Sequence, residues 1–452
     1  MQNIIYNKIH FIGIGGIGMS ALARYYKSQG IIISGSDSSE SELIDNLRSE
    51  GIIVNISESS DNVADDTDLL VYTIAIKSDN VELLKGLELA NNNEKSCRVL
   101  TYPQALGEMS REKKVIAVCG THGKTTTTAM VYYALQNTGL DVSMILGSLI
   151  KDKNSENKMT NYIQGNSDWI VIEACEYRRS FLNYNPEIIL ITNIDADHLD
   201  YYKDIGDIEN AFGEFIDRLS ENGKVIIHKN EEAVISRIQE NYREKNKLEN
   251  NNFKIEKSIK KVICEDVINL EDVKLSVPGE HNRKNAQLVV ALGDMLGLSR
   301  EKVLEGLKNF AGTWRRQEYK GKHFDMECYD DYAHHPSEIK ATLQAFKEKC
   351  PNKKIIACFM PHLYSRTKIL FDDFINSFDD ADEIILLPIY AAREQVDISI
   401  SSDMLARELN NINKKAVSLA SVNTLKDYLK IHSDKNNVVV TMGAGDIYKL
   451  YE

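Results

Sequence analysis

Short apolar runs recur along the chain, each followed by a turn and then by a stretch with helical spacing. Residues 115–119 read VIAVC, an unbroken apolar run that predicts a buried strand. A tight turn follows, Gly120-Thr121-His122-Gly123, and Lys124 and Thr125 open a helix whose apolar positions continue at Met130, Val131 and Leu135. The same order stands at the N-terminus. There a strand over 8–14 runs into Gly13, Gly15, Gly16 and Gly18, then a helix closed by Gly30, then a strand over 31–33 that leads to Asp37.

Further along, 68–80 predicts a strand ending in a polar loop, and 100–113 a polar crossing between domains. Residues 151–166 lack periodicity and predict a surface excursion. A strand over 169–172 ends on Glu173, and one over 188–194 runs into the acidic loop Asp195-Ala196-Asp197-His198. A helix is expected over 209–219, a solvated surface over the Lys-, Glu- and Asn-rich 235–261, and a strand, turn and amphipathic helix over 275–296. Strands within 328–346, 354–367, 383–394 and 438–450 alternate with helices. This alternation predicts an α/β protein. At roughly 150 residues per domain, the 452-residue length suggests about three. The expected division is a Rossmann-like domain over 1–110, a central P-loop ATPase-like α/β domain over 111–311 and a C-terminal Rossmann-like domain over 312–452.

Composition narrows the classes. A net charge of −13 argues against a broad nucleic-acid surface. No apolar run approaches the roughly 20 residues that span a bilayer, and the N-terminus does not read as a secretion signal. The seven cysteines are scattered without a CxxC pair, which suggests reduced thiols and a cytoplasmic location.

The turn at 120–125 has phosphate-binding chemistry. Glycines let the backbone approach an anion, and helix N-terminal N–H groups point at it. Lys124 can neutralise β- and γ-phosphate charge, and the Thr125 hydroxyl can ligate Mg²⁺. A full Walker spacing would want glycine at 118, where Val118 stands. The 13–18 turn matches G-x-G-x-x-G with an acid, Asp37, about 20 positions on, so a second diphosphate site is expected there. Its Asp37 suits the ribose of NAD, FAD or a UDP-sugar alike. Glu173, at a strand C-terminus beside the phosphate turn, is placed to hold Mg²⁺ directly or through water.

GTHGKTTT is similar to the ATP-binding signature of the Mur ligases, which build the peptide stem of bacterial peptidoglycan. HFIGIGGIGMSALA, IEACEYRRSF, NIDADH, GEHNRKNA and DDYAHHPSE resemble further blocks of that family, so the likeness spans residues 8 to about 450. The resemblance implies an ATP- and Mg²⁺-dependent ligase of peptidoglycan precursor synthesis. It would join L-alanine to the lactyl carboxylate of UDP-N-acetylmuramate through an acyl phosphate and release ADP and phosphate. It implies ATP contacts at Gly120, Thr121, His122, Gly123, Lys124, Thr125, Thr126, His281, Asn282, Asn285, Arg315, Arg316 and Asp331. UDP-sugar contacts fall to Gly13, Gly15, Gly16, Gly18, Asp37, Thr73 and Ala75, and the amino-acid side to Tyr332, His334, His335, His362 and Arg366. Thr125, Glu173 and His198 would hold metal, with Lys124, Glu173 and His198 the catalytic set. Some members carry a carbamylated lysine in the helix expected over 209–219. None stands there, as in the alanine-adding subgroup. The family's Arg-Arg-Phe is Arg315-Arg316-Gln317 here, and Leu363 replaces an arginine found in some members. No nucleic acid or membrane partner is expected, and the state expected is a monomer or weak homodimer. Two other readings stand beside this one. A ligase attaching a whole tripeptide to the same sugar is the neighbour within the family. A nicotinamide-dependent oxidoreductase would use Gly13–Gly18 and Asp37 but leave Lys124, Glu173 and the His-His-Pro block idle.

Overall fold

The computed structural model describes residues 6–92, 97–152, 158–198, 201–249, 260–264, 275–392 and 394–452. It forms two compact units, Met1–Val267 with Leu288–Gly306, and Ile268–Gln287 with Leu307–Glu452. The first unit holds two sheets and the second holds one. The N-terminal sheet is all parallel. Its order is Ile53–Ile56, Ile32–Asp37, Lys8–Ile12, Leu69–Tyr72, Arg98–Thr101. Helices cover it because a parallel neighbour can be reached only by a crossover.

The central sheet runs Lys260–Cys264, Lys224–His228, Ile188–Ile191, Lys114–Cys119, Trp169–Glu173, Ser143–Lys151, Met159–Ile163. All neighbours are parallel except the last pair, which is antiparallel. Val115 to Cys119 are completely buried, as an apolar run in the middle of a parallel sheet must be. The C-terminal ends of Ile188–Ile191, Lys114–Cys119 and Trp169–Glu173 therefore lie side by side, the edge where open α/β sheets carry their ligands. The C-terminal sheet runs Glu318–His323, Met326–Asp331, Asn437–Met442, Lys354–Phe359, Glu383–Leu386, Ala416–Ser418, with only the first pair antiparallel.

Four expectations change. Residues 100–113 are not a polar crossing: Tyr102–Ser110 is a helix with Pro103, Ala105, Leu106 and Met109 buried. Within 151–166, Met159–Ile163 is not a surface excursion but a strand paired with Ser143–Lys151, and 153–157 lie outside the described residues. Leu275 to Val277 form no strand, and the helix there is Glu280–Met295. The region over 235–261 begins inside the helix Glu232–Glu249, and the part of it over 250–259 lies outside the described residues. Among the described residues no helix is long and apolar enough to cross a membrane.

The strand Met159–Ile163 joins the first two sheets into one unit. It packs on the helix Ile17–Ser28 that leaves the N-terminal glycine turn. Asn161 is fully buried there. Its amide nitrogen donates to the Ile17 carbonyl and, at 2.8 Å, to Ser20 Oγ, while its oxygen accepts from Arg24. Arg24 in turn makes a bidentate pair with Glu50, both bonds 2.9 Å. Removing one member leaves buried donors without acceptors, at about 1–3 kcal/mol. Asn161→Ala should therefore destabilise the first unit by that amount in denaturant unfolding. A change below about 0.5 kcal/mol, the usual size for an uninvolved surface site, would show that the junction is held elsewhere.

Candidate active site

The phosphate turn is built between strand exits. Gly120 has φ +128°, and a Cβ there would collide with Thr192 Oγ1 and sit 2.8 Å from the Asn193 carbonyl. The loop is pinned from the same side. Thr121 N donates to Asn193 O at 3.0 Å, His122 N to Asn193 Oδ1 at 3.0 Å, and Asp195 N to Thr121 Oγ1 at 2.8 Å. Thr192 Oγ1 donates to the His122 carbonyl at 2.6 Å. Gly123 caps the helix Lys124–Thr138 at φ +81°. The acidic stretch after 191 thus shapes the loop as well as carrying His198.

Lys124 folds back over this loop. Its ammonium donates to Gly120 O at 2.6 Å, Thr121 O at 2.9 Å and Glu176 Oε1 at 2.9 Å. Burial pulls its pKa down, but the Glu176 carboxylate pushes it up, with a net rise above an ordinary lysine. Burial acts on Glu176 in the opposite sense, and Lys124 and then His198 more than offset it, so that carboxyl stays below its usual range. The pair is ionised. Thr125 Oγ1 donates to Glu173 Oε1 at 2.9 Å, and Glu173 Oε2 accepts from Gly147 N at 2.8 Å. A Cβ on Gly147 would come within 2.7 Å of that carboxylate, so glycine is what lets the backbone cradle it. His198 has φ +56° and its ring packs on Tyr177, centroids 4.8 Å apart. Its Nε2 lies 3.6 Å from Glu176 Oε1 and 3.9 Å from Asp197 Oδ2. The structure thus brings Thr125 to Glu173, and Lys124 and His198 to Glu176. Thr126 is buried on the first helical turn.

The N-terminal turn is equally tight. Gly13, at φ +79°, packs against the Thr73 methyl, and Gly16 N-caps the helix Ile17–Ser28. Gly15 N donates to Asp37 Oδ2 at 2.9 Å and Ser38 N to Asp37 Oδ1 at 2.7 Å. Asp37, expected on a ribose, braces the glycine turn through Oδ2 and the start of its own loop through Oδ1. Ala75 is exposed, and its N–H reaches Thr73 Oγ1 at 3.4 Å. A Cβ on Gly18 would fall 2.7 Å from the Tyr102 ring and hydroxyl, so a side chain there meets protein before any ligand.

In the second unit the arginine pair divides. Arg315 is buried, and all three of its nitrogens donate within its own domain: Nε to Asp330 at 2.7 Å, Nη1 to Gly445 O at 3.0 Å and Nη2 to Gly443 O at 2.6 Å. Arg316 instead lies partly exposed over the Tyr332 ring. Gln317 is buried. Its N–H donates to Asp331 Oδ2 at 3.0 Å, and its amide meets Asn282 Nδ2 at 3.3 Å and His281 Nε2 at 3.4 Å. An amide here ties the GEHNRKNA segment to the start of the C-terminal sheet, which a phenylalanine could not do. Burial pushes the His281 pKa down to about 4, so the ring is neutral, and Asn285 is buried on the same helix. His335 caps the helix Pro336–Lys349, with Nδ1 2.7 Å from Ser337 Oγ. His334 and His362 approach to 6.1 Å between ring centroids, His362 stacks on Tyr390, and Arg366 Nη1 lies 3.2 Å from His362 Nδ1.

Family profiles cover most of the chain. "Mur ligase family, catalytic domain" matches 8–114, "Mur ligase middle domain" 118–293 and "Mur ligase, glutamate ligase domain" 315–445. A curated protein of Clostridium botulinum (strain Hall), named UDP-N-acetylmuramate–L-alanine ligase, is 40% identical over 462 residues, covering 98% of this chain and 96% of its own. The chain belongs to the Mur ligase family. A solved Mur ligase, UDP-N-acetylmuramate-alanine ligase MurC of Thermotoga maritima, matches at TM-score 0.76 and 28% identity over 98% of this chain and 97% of that one. A murein peptide ligase of Psychrobacter arcticus shares the fold at TM-score 0.63 and 22% identity, over 98% and 97%.

Within this Mur ligase, sequence reasoning missed Glu176, Gly147, Tyr102, Tyr390 and the role of Gln317. Glu176 stands three residues after Glu173 at the same strand exit, a signal that was available. The others are set by contacts between distant segments.

Asp331 supplies a pH test. Its carboxylate accepts from Ala333 N at 2.8 Å and Gln317 N at 3.0 Å, yet burial pushes its pKa up to about 6, against the pull of Arg316. An unfolded aspartate titrates near 3.9. The native state therefore holds the proton more tightly, and the associated stability, on the order of 3 kcal/mol, is present at low pH and lost as pH rises through about 6. Asp331→Asn has no such ionisation. Its melting temperature relative to wild type should climb between pH 4.5 and pH 7.5, and a flat or falling difference would contradict the burial argument.

Proposed function

We propose that this chain joins L-alanine to the lactyl carboxylate of UDP-N-acetylmuramate at the expense of ATP, releasing ADP and phosphate. The observation that carries it is the pairing at three neighbouring strand exits: an ionised Lys124 over the glycine turn, and Thr125 hydrogen-bonded to Glu173. The names of the relatives similar over nearly the whole chain point to the same substrates. A carboxylate is a poor acyl donor because hydroxide would have to leave. A lactyl oxygen attacks the γ-phosphorus, the bond to the bridging oxygen breaks and ADP departs. The alanine nitrogen then attacks the acyl carbon and phosphate leaves with the electron pair. Lys124 and the loop N–H groups hold the charge that develops on the transferred group.

Among the described residues no three His, Cys, Asp or Glu side chains converge as a metal cage. Mg²⁺ does not need one, since it binds through one or two carboxylates and the phosphates themselves. Thr125 Oγ1 and Glu173 Oε1, 2.9 Å apart, fit that requirement, with His198 as a further donor to be tested. Mg²⁺ bound there would neutralise β- and γ-oxygen charge. Gly13, Gly15, Gly16 and Gly18, with Asp37, Thr73 and Ala75, would take the UDP-sugar, and Tyr332, His334, His335, His362 and Arg366 the amino acid. The working division is 1–110, 111–311 and 312–452, and the scattered thiols suit a cytoplasmic enzyme.

The test is ADP release with ATP, Mg²⁺, UDP-N-acetylmuramate and a panel of amino acids and peptides. L-alanine should support turnover and the tripeptide should not. Lys124→Ala should lower the rate by more than tenfold with an unchanged circular dichroism spectrum. Preference for the tripeptide, or a Lys124→Ala variant above about a tenth of wild-type rate, would overturn the reading.

A further inference from the structure

Glu176 is the carboxylate that pairs with Lys124 above the phosphate loop. Resting on the ligase reading, we propose that Glu176 is a positioning residue for Lys124: it holds the ammonium over the loop until nucleotide arrives, and sets its place during phosphoryl transfer.

Three observations carry this. First, the three N–H donors of the Lys124 ammonium match three acceptors, the Gly120 and Thr121 carbonyls and Glu176 Oε1, all within 2.9 Å. The two carbonyls belong to the loop itself and move with it. Glu176 is the only one of the three acceptors that comes from another segment and the only one that is charged. Second, Glu176 is 2% exposed, and its Oε2 is buried with no partner among the described residues. A structural carboxylate at this depth would have both oxygens matched. One matched and one open oxygen describe a group that can exchange a partner. Third, His198 Nε2 stands 3.6 Å from the oxygen that holds Lys124, just beyond hydrogen-bond range. When Lys124 turns to a phosphate, the His198 ring nitrogen is at hand beside the same carboxylate oxygen. Tyr202 fixes the position by donating its hydroxyl to the Glu176 carbonyl at 2.5 Å.

The consequence is a trade. ATP must draw Lys124 away from a carboxylate, so Glu176 weakens ground-state nucleotide binding. In return the lysine is protonated and confined to one arc of positions. Removing the charge should therefore tighten nucleotide binding and slow turnover, opposite effects that simple damage to the fold would not produce.

The experiment uses the full chain. Glu176→Gln keeps the shape and removes the charge, and Glu176→Asp keeps the charge. Affinity for a non-hydrolysable ATP analogue is measured by titration calorimetry, and kcat by ADP release with UDP-N-acetylmuramate and L-alanine. Glu176→Gln is expected to bind the analogue at least threefold more tightly and to lose at least tenfold in kcat, with Glu176→Asp regaining part of kcat. In a Lys124→Ala background the gain in affinity should shrink below twofold, because the carboxylate acts through the lysine. Weaker analogue binding by Glu176→Gln, an undiminished kcat, or an equal gain without Lys124 would each overturn the proposal. If wild type releases no ADP with these substrates, the ligase reading itself fails, and the affinity arm still decides the pairing.

Discussion

The structure turns on the seating of Gly120 beneath Thr192 and Asn193. That contact leaves no room for a Cβ, and Asn193 closes the turn by accepting from the N–H groups of Thr121 and His122. The surrounding parts depend on it. Lys124 can fold over the Gly120 and Thr121 carbonyls only if those carbonyls face inward. The helix Lys124–Thr138 can begin at Gly123 only because that residue accepts φ +81°. Thr125 then falls opposite Glu173 because the strand leading into its helix, Lys114–Cys119, is the sheet neighbour of Trp169–Glu173.

A chain of net charge −13 has to bind anions locally. On the ligase reading it would do so at the two glycine turns and with Lys124, whose side chain is mostly buried. That lysine stays charged because a carboxylate is buried with it. Such a pair is expensive to desolvate, and its value lies in where it holds charge rather than in stability. Asp37 and Arg315 show the opposite use of charge: each is absorbed by its own domain, one bracing a glycine turn and the other clamping the end of a sheet.

The legible parts of the site were those that depend on local order along the chain. VIAVC followed by a glycine turn and Lys-Thr can hardly fold otherwise, and Glu173 at the end of WIVIE is placed by strand periodicity alone. What escaped was decided at a distance. Asn161 sits in a polar stretch, and only its partners on the helix Ile17–Ser28 explain its burial. The helix Tyr102–Ser110 carries Gly107 and polar residues that read as a crossing until it is packed. Arg315 and Arg316 look equivalent in sequence and both lie over the Tyr332 ring, yet the fold buries the first and leaves the second partly exposed. Gln317 departs from the usual phenylalanine, and its hydrogen bonds to Asn282 and His281 supply a reason that could not be seen beforehand.

The central claim is that a lysine-lined phosphate turn serves transfer of the γ-phosphoryl group to a carboxylate. The most direct measurement labels the lactyl carboxylate of UDP-N-acetylmuramate with heavy oxygen, runs the reaction with ATP and L-alanine, and weighs the released phosphate. An acyl phosphate broken by the amine leaves one labelled oxygen in the phosphate, with ADP as the other product. Unlabelled phosphate, or release of pyrophosphate, would contradict the account.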